Sequence, residues 1–119
     1  MIKFYCLKTC STCKRAEKFL IDNNISYTTI DIRNTKFNIE DIEYIHKKSN
    51  KDIKKLFNTS GIIYRSLKLK DKIKTMSLLE KYEILTTDGM LLKRPILITD
   101  NKVYIGFKET EYGELCIHK

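Results

Sequence analysis

A chain of 119 residues, 42% hydrophobic and 32% charged, fits one globular domain that can bury a core without disulfides or metal to help it. No apolar run approaches the ~20 residues needed to span a bilayer. The opening Met-Ile-Lys-Phe-Tyr-Cys lacks the layered layout of a secretory leader, so a cytoplasmic location and no membrane partner are expected. The net charge of +8 comes from 19 lysines and four arginines scattered among acidic residues. Arginine, with its bidentate fork, is the residue suited to reading phosphates and base edges. The lysines therefore read as solvated helix faces, and direct sequence-specific nucleic-acid binding is not expected.

Residues 2–6 read as a strand with Ile2, Phe4 and Cys6 on one face. Thr9-Cys10-Ser11 leads into an amphipathic helix to about residue 23, striped by Cys13, Ala16, Phe19 and Leu20. Asn23 and Asn24 suit its end, because asparagine tolerates the left-handed conformation. A second strand covers 26–32. Asn38 with Asp41 has capping-box spacing and opens a helix with a buried stripe of Ile39, Ile42 and Ile45. A shorter helix covers about 52–57. Ser77 with Glu80 repeats the capping pattern and opens a helix through Leu85, which Gly89 helps to terminate. Residues 96–99 and 102–106 read as strands joined by the two-residue turn Asp100-Asn101. A last helix runs over about 108–117, with Gly113 inside it. Two strands joined by a helix should lie parallel with a right-handed crossover, and the hairpin adds antiparallel strands. The fold class is therefore α/β: a mixed four-stranded sheet with helices on both faces, the thioredoxin-like plan.

Three of the four cysteines, Cys6, Cys10 and Cys13, fall within eight residues. Their spacing matches a three-thiolate iron–sulfur motif, but that chemistry needs a far larger barrel, and Cys6 sits in a strand. A structural zinc site needs four ligands, usually as two close pairs. Cys116 and His118 would have to supply the second pair from the far end of the chain, so no metal is expected. A permanent staple is disfavoured in a reducing compartment. Redox chemistry has a mechanism. Cys10 at a helix start meets unpaired backbone N–H groups and the positive end of the helix dipole, which hold a thiolate. Lys8, Lys14 and Arg15 add positive charge nearby. Cys13 lies one turn on, within reach of Cys10. Cys6 reads as a small core residue and Cys116 as a spare thiol. His46 and His118 read as surface residues without a partner.

Cys10-Ser-Thr-Cys13-Lys-Arg-Ala, Phe57-Asn-Thr-Ser-Gly61, Asp88-Gly-Met-Leu-Leu-Lys-Arg-Pro95-Ile-Leu and Gly106-Phe-Lys-Glu occur in that order. Together they resemble the arsenate reductase/Spx family over essentially the whole chain, most closely its short arsenate reductase-like branch. The resemblance implies a thioredoxin-like (glutaredoxin-like) domain over 1–119, with its core about 1–35 and 90–119 and a helical insertion about 36–89. It implies that Cys10 is the nucleophile, that Arg94 approaches it, and that Pro95 is a cis proline facing the thiol. With Cys13 as resolving thiol, the pair Cys10–Cys13 is the expected redox-active disulfide. No cofactor is expected beyond an external reductant, thioredoxin or glutaredoxin with glutathione.

The departures from the family pattern carry information. Glutaredoxin-linked arsenate reductases surround one active cysteine with three arginines. Arg94 matches one. A second belongs where this chain has Asn58, before Thr59-x-x-x-x-Tyr64, and a third where it has Phe107-Lys108. Those enzymes tend to lack a thiol at the Cys13 position, whereas the Spx regulators have one. Spx proteins bind the RNA polymerase α-subunit, and they usually run past this length. Two readings therefore stand: a thiol oxidoreductase with weak or absent arsenate reduction, or a redox-sensing regulator that binds the polymerase α-subunit.

Overall fold

The computed structural model describes residues 1–117. In chain order the strands are β1 (Lys3–Cys6), β2 (Thr28–Asp31), β3 (Ile96–Ile98) and β4 (Val103–Ile105). The α-helices are α1 (Ser11–Asp22), α2 (Ile39–Ser49), α3 (Ile62–Ser66), α4 (Leu69–Lys72), α5 (Leu78–Leu85), α6 (Glu109–Tyr112) and α7 (Glu114–Ile117). Residues 1–32, together with the chain from Arg94 onward, make one compact unit, and Arg33–Lys93 make a second.

In the first unit β1 pairs parallel with β2, from Lys3 opposite Thr28 to Cys6 opposite Asp31. On its other side β1 pairs antiparallel with β3, and β3 with β4, giving the order β2-β1-β3-β4. The β3–β4 hairpin turns through Asp100-Asn101, where the Thr99 N–H donates to the Lys102 carbonyl at 2.9 Å. Register places Phe4 opposite Leu97 and Leu97 opposite Tyr104. The period-two alternation of strands puts these three side chains on one face. α1 covers that face with Cys13, Ala16 and Leu20, and Tyr112 of α6 completes the cluster. Burying each large apolar side chain there stabilises the unit by about 1.5–3 kcal/mol. This is the thioredoxin-like sheet.

α1 ends at Asp22, and of the two asparagines beyond it Asn24, at φ 55, takes the left-handed conformation. Other boundaries in this unit differ from the sequence reading. The single helix expected over 108–117 is two four-residue pieces broken at Gly113. Glycine loses the most conformational freedom in a helix interior, which makes this the weak point. β2 is also shorter than 26–32, because Ile32 already begins a 3-10 turn.

In the second unit both capping boxes form. Asp41 N–H donates to Asn38 Oδ1 at 2.8 Å, and Asn38 N–H to Asp41 Oδ2 at 2.9 Å. Ser77 and Glu80 repeat the arrangement at the start of α5. Ile42 and Ile45 are buried as expected, but Ile39, the first residue of α2, is 37% exposed. Ser49, one turn beyond Ile45, is the third buried position of the helix. The expected 52–57 helix is a 3-10 turn over Ile53–Leu56, capped by the Asp52 side chain. Gly89 does not end α5. That helix finishes at Leu85 with Thr86 beyond it, and Gly89 opens a separate 3-10 turn. His46 is not partnerless: its Nδ1 lies 2.6 Å from the Tyr82 hydroxyl, tying α2 to α5. An isolated antiparallel bridge joins Phe57 to Leu92.

Candidate functional site

β1 carries the chain to the buried Leu7, and a turn follows in which Cys10 N–H donates to the Leu7 carbonyl at 3.0 Å. Cys10 is the N-cap residue of α1, with extended backbone at φ −84 and ψ 118. Serine, threonine, aspartate or asparagine usually fills such a position, because its oxygen accepts an orphan N–H of the first turn. Here sulfur does so: Cys13 N–H donates to Cys10 Sγ at 3.4 Å.

Half-burial of Cys10 on its own raises the pKa of its thiol. Hydrogen bonds from the Cys13 backbone and thiol and from the Thr12 backbone, with the Arg94 guanidinium, outweigh that burial and hold the thiol below its ordinary value. The cationic contribution is that of Arg94. Lys8, Lys14 and Arg15 are exposed, and water and salt screen such charges; Arg15 turns to donate to Thr12 Oγ1 at 3.3 Å.

Cys13 is the opposite case. Burial pushes its thiol up, and its hydrogen bond to Cys10 and the charge on Cys10 push it further. Cys6 is raised as well, first by burial and then by Glu17, Asp31 and Cys10. One low thiol and two high ones thus share the end of β1 and the first turn of α1. Glu17 and Tyr27 also belong to these surroundings, unsignalled by any motif. Tyr27 hydroxyl donates to Glu17 Oε2 at 2.8 Å, a contact between α1 and the residue just before β2 that no local pattern signals.

Arg94 is half-buried and Pro95 buried, and the bond between them is cis. Pro95 leads into β3, and its carbonyl accepts the Gly106 N–H at 2.8 Å. The structure therefore brings Cys10, Cys13 and Arg94 to one unit, with Pro95 next in the chain. Phe107 is occupied otherwise: its ring packs edge-on against Tyr112 at 4.8 Å and lies 6.0 Å from Phe19. Lys108 is exposed at the N-cap of α6. Asn58, in the second unit, donates its N–H to the Leu91 carbonyl at 2.8 Å and accepts from Ser60 Oγ through Oδ1.

Cys116 is exposed on α7, and His118 lies outside the described residues. Among the described residues no group of three or more His, Cys, Asp or Glu is placed to hold a metal ion. Among them, too, no helix is long and apolar enough to cross a membrane.

The ArsC family model matches residues 5–115. The uncharacterised protein YusI of Bacillus subtilis (strain 168) is 41% identical over 113 residues, 95% of this chain and 96% of its own. The global transcriptional regulator Spx 2 of Bacillus anthracis is 24% identical over 111 residues, 93% of this chain and 83% of its own. The crystal structure of a possible arsenate reductase from Streptococcus mutans UA159 superposes with a TM-score of 0.86 at 42% identity, covering 97% of each chain.

Proposed function

The chain belongs to the ArsC family, and on that premise we propose that it is a thiol–disulfide redox protein with Cys10 as nucleophile, Cys13 as resolving thiol and Arg94 as the charge beside them. The observation that carries this reading is the N-cap position of Cys10, whose sulfur accepts the Cys13 N–H at 3.4 Å. A thiolate is the reactive form of cysteine, and the helix start and Arg94 favour it.

The reaction has two steps. Cys10 Sγ, as a thiolate, attacks an oxidised centre; the bond from that centre to one of its oxygens breaks, the oxygen leaves as water with protons from solvent, and a covalent adduct forms. Cys13 Sγ then attacks Cys10 Sγ, the bond from Cys10 to the adduct breaks, and the electron pair leaves with the product, which takes the Cys13 proton. Two thiols become one disulfide and the substrate gains two electrons. The high pKa of Cys13 orders these steps. Part of it comes from the hydrogen bond and charge of Cys10, and both are removed once Cys10 is capped. The resolving thiol becomes easier to ionise at the moment it is needed. An external dithiol, thioredoxin or glutaredoxin with glutathione, returns the two electrons. This cycle belongs in the cytoplasm and needs no bound cofactor.

Likeness to Spx regulators over most of the chain supports a second reading. In it the same pair is a sensor, and its oxidation state governs binding to the RNA polymerase α-subunit.

The test is NADPH-coupled turnover of peroxide and of arsenate, with a thioredoxin and with a glutaredoxin system. Turnover that Cys10→Ser abolishes and Cys13→Ser reduces to a single stalled adduct supports the enzyme. If no oxidant turns over, and oxidised and reduced protein retain the polymerase α-subunit to different extents, the regulator takes its place.

A further inference from the structure

We infer that Cys6 is a third redox thiol: the disulfide first formed between Cys10 and Cys13 passes inward to join Cys6 to Cys13, and Cys10 is set free. This rests on the reading of Cys10 and Cys13 as a redox pair.

The alternation of β1 puts Cys6 on the same face as Phe4, and α1 packs on that face through Cys13, Ala16 and Leu20. Cys6 and Cys13 therefore sit in one buried cluster, 7% and 3% exposed, and Cys10 packs against it from its partly exposed edge. Cys13 feels both of the other thiols, and Cys10 also acts on Cys6.

The exchange needs no further oxidant. Cys6 loses its proton to water and its Sγ attacks Cys13 Sγ. The bond between Cys10 and Cys13 breaks, and Cys10 leaves with the electron pair as a thiolate. One disulfide is replaced by another. In such an exchange the sulfur that best carries negative charge is the best leaving group. Cys10 is that sulfur, facing the N–H groups of Thr12 and Cys13 and the charge of Arg94. Cys6 ionises against burial and against the carboxylates of Glu17 and Asp31, which makes the migration slower than the first closure. Of the three pairings, Cys6–Cys13 alone leaves the free charge where the helix start holds it. The oxidised protein then keeps a reactive Cys10 and stores its oxidation in the core.

The experiment uses the chain with Cys116→Ser, so that the exposed thiol cannot pair between molecules. The protein is treated with one equivalent of hydrogen peroxide and quenched in acid at intervals. Free thiols are then capped with N-ethylmaleimide in denaturant, and the protein is cut with trypsin. Cleavage after Lys3, Lys8 and Lys14 leaves Cys6 in peptide 4–8 and both Cys10 and Cys13 in peptide 9–14. The expected early product is a disulfide inside 9–14 with Cys6 capped. It shifts with time to 4–8 linked to 9–14 through Cys13, with Cys10 capped. Cys6→Ala holds the early product throughout. A disulfide that stays inside 9–14 at equilibrium, or a link made through Cys10, overturns the inference and leaves the redox pair standing. If no disulfide forms among these three cysteines, the redox pair itself is wrong and the inference falls with it.

Discussion

The backbone N–H of Cys13 points at the sulfur of Cys10 across 3.4 Å. The residue read as the resolving thiol therefore also stabilises, through its main chain, the thiolate form of the sulfur that it would attack once that sulfur carries the adduct. Side-chain replacement at position 13 leaves that N–H in place and removes only the thiol's own share of the stabilisation, so part of the activation of Cys10 should survive the loss of its resolution.

The Cys10 thiol should titrate below the ~8.5 of a free cysteine, measured as the pH dependence of its iodoacetamide alkylation rate. Arg94→Ala should raise the midpoint, because it removes the guanidinium while leaving the N–H groups of the first turn. It should not return the midpoint fully to that of a free thiol. A wild-type midpoint at or above 8.5 (roughly the free-thiol value) would contradict the arrangement around Cys10.

Alkaline pH should unfold the reduced protein early. Burial raises the thiols of Cys13 and Cys6 and the phenol of Tyr112, so the folded state keeps protons that the unfolded chain has already lost. Stability is therefore full below the unfolded values and falls as pH rises past ~8.5 for the thiols and ~10 for the phenol. Urea midpoints measured from pH 7 to 11 should decline across that range. Tyr112→Phe, which keeps the ring and removes the titrating hydroxyl, should flatten the upper part of the decline. Midpoints that stay level to pH 11 would count against this account.

Asn38→Ala should cost about 1 kcal/mol by removing the acceptor for the Asp41 N–H at the start of α2. Urea unfolding would show it as a lower midpoint. The alkylation profile of Cys10 should not move, since the two residues lie in separate compact units. A cost near zero would mean that water caps the helix equally well.

Asn38 also shows what could be read from sequence. Both capping boxes, the Asp100-Asn101 turn and the Cys10–Cys13 pair depend on residues within four positions of each other, and local chemistry declares them. α3 and α4 carry no such declaration. Lys68 separates them at φ 54 with no glycine or asparagine to mark the turn, and each helix is too short to show a period. The His46–Tyr82 contact joins two helices through side chains whose sequence environments say nothing of each other. Arg94 was legible only through family resemblance, because an arginine beside one proline is otherwise an ordinary surface pair. Proximity along the chain points to Lys8, Lys14 and Arg15 as the charges near Cys10. Geometry gives that role to Arg94, whose guanidinium acts on the sulfur from another strand connection.

The last prediction concerns arsenate. Charge-assisted bonds from arginine are the strong way to hold an oxyanion, each about 1.5–3 kcal/mol. The family pattern has three arginines, and this chain has Arg94 alone of them. Phe107 has turned its ring into the cluster with Phe19 and Tyr112, and the exposed Lys108 offers a point charge where a fork is called for. Losing two forks should cost several orders of magnitude in turnover, since about 1.4 kcal/mol is a factor of ten. Arsenate reduction by the wild type should therefore be weak or absent in the coupled assay, with either reductant system. Asn58→Arg should raise it. The gain should appear in kcat/KM and vanish again with Arg94→Ala. Efficient turnover by the unmodified protein would refute the argument and would mean that the N–H groups at the start of α1 hold the oxyanion without help from the missing arginines.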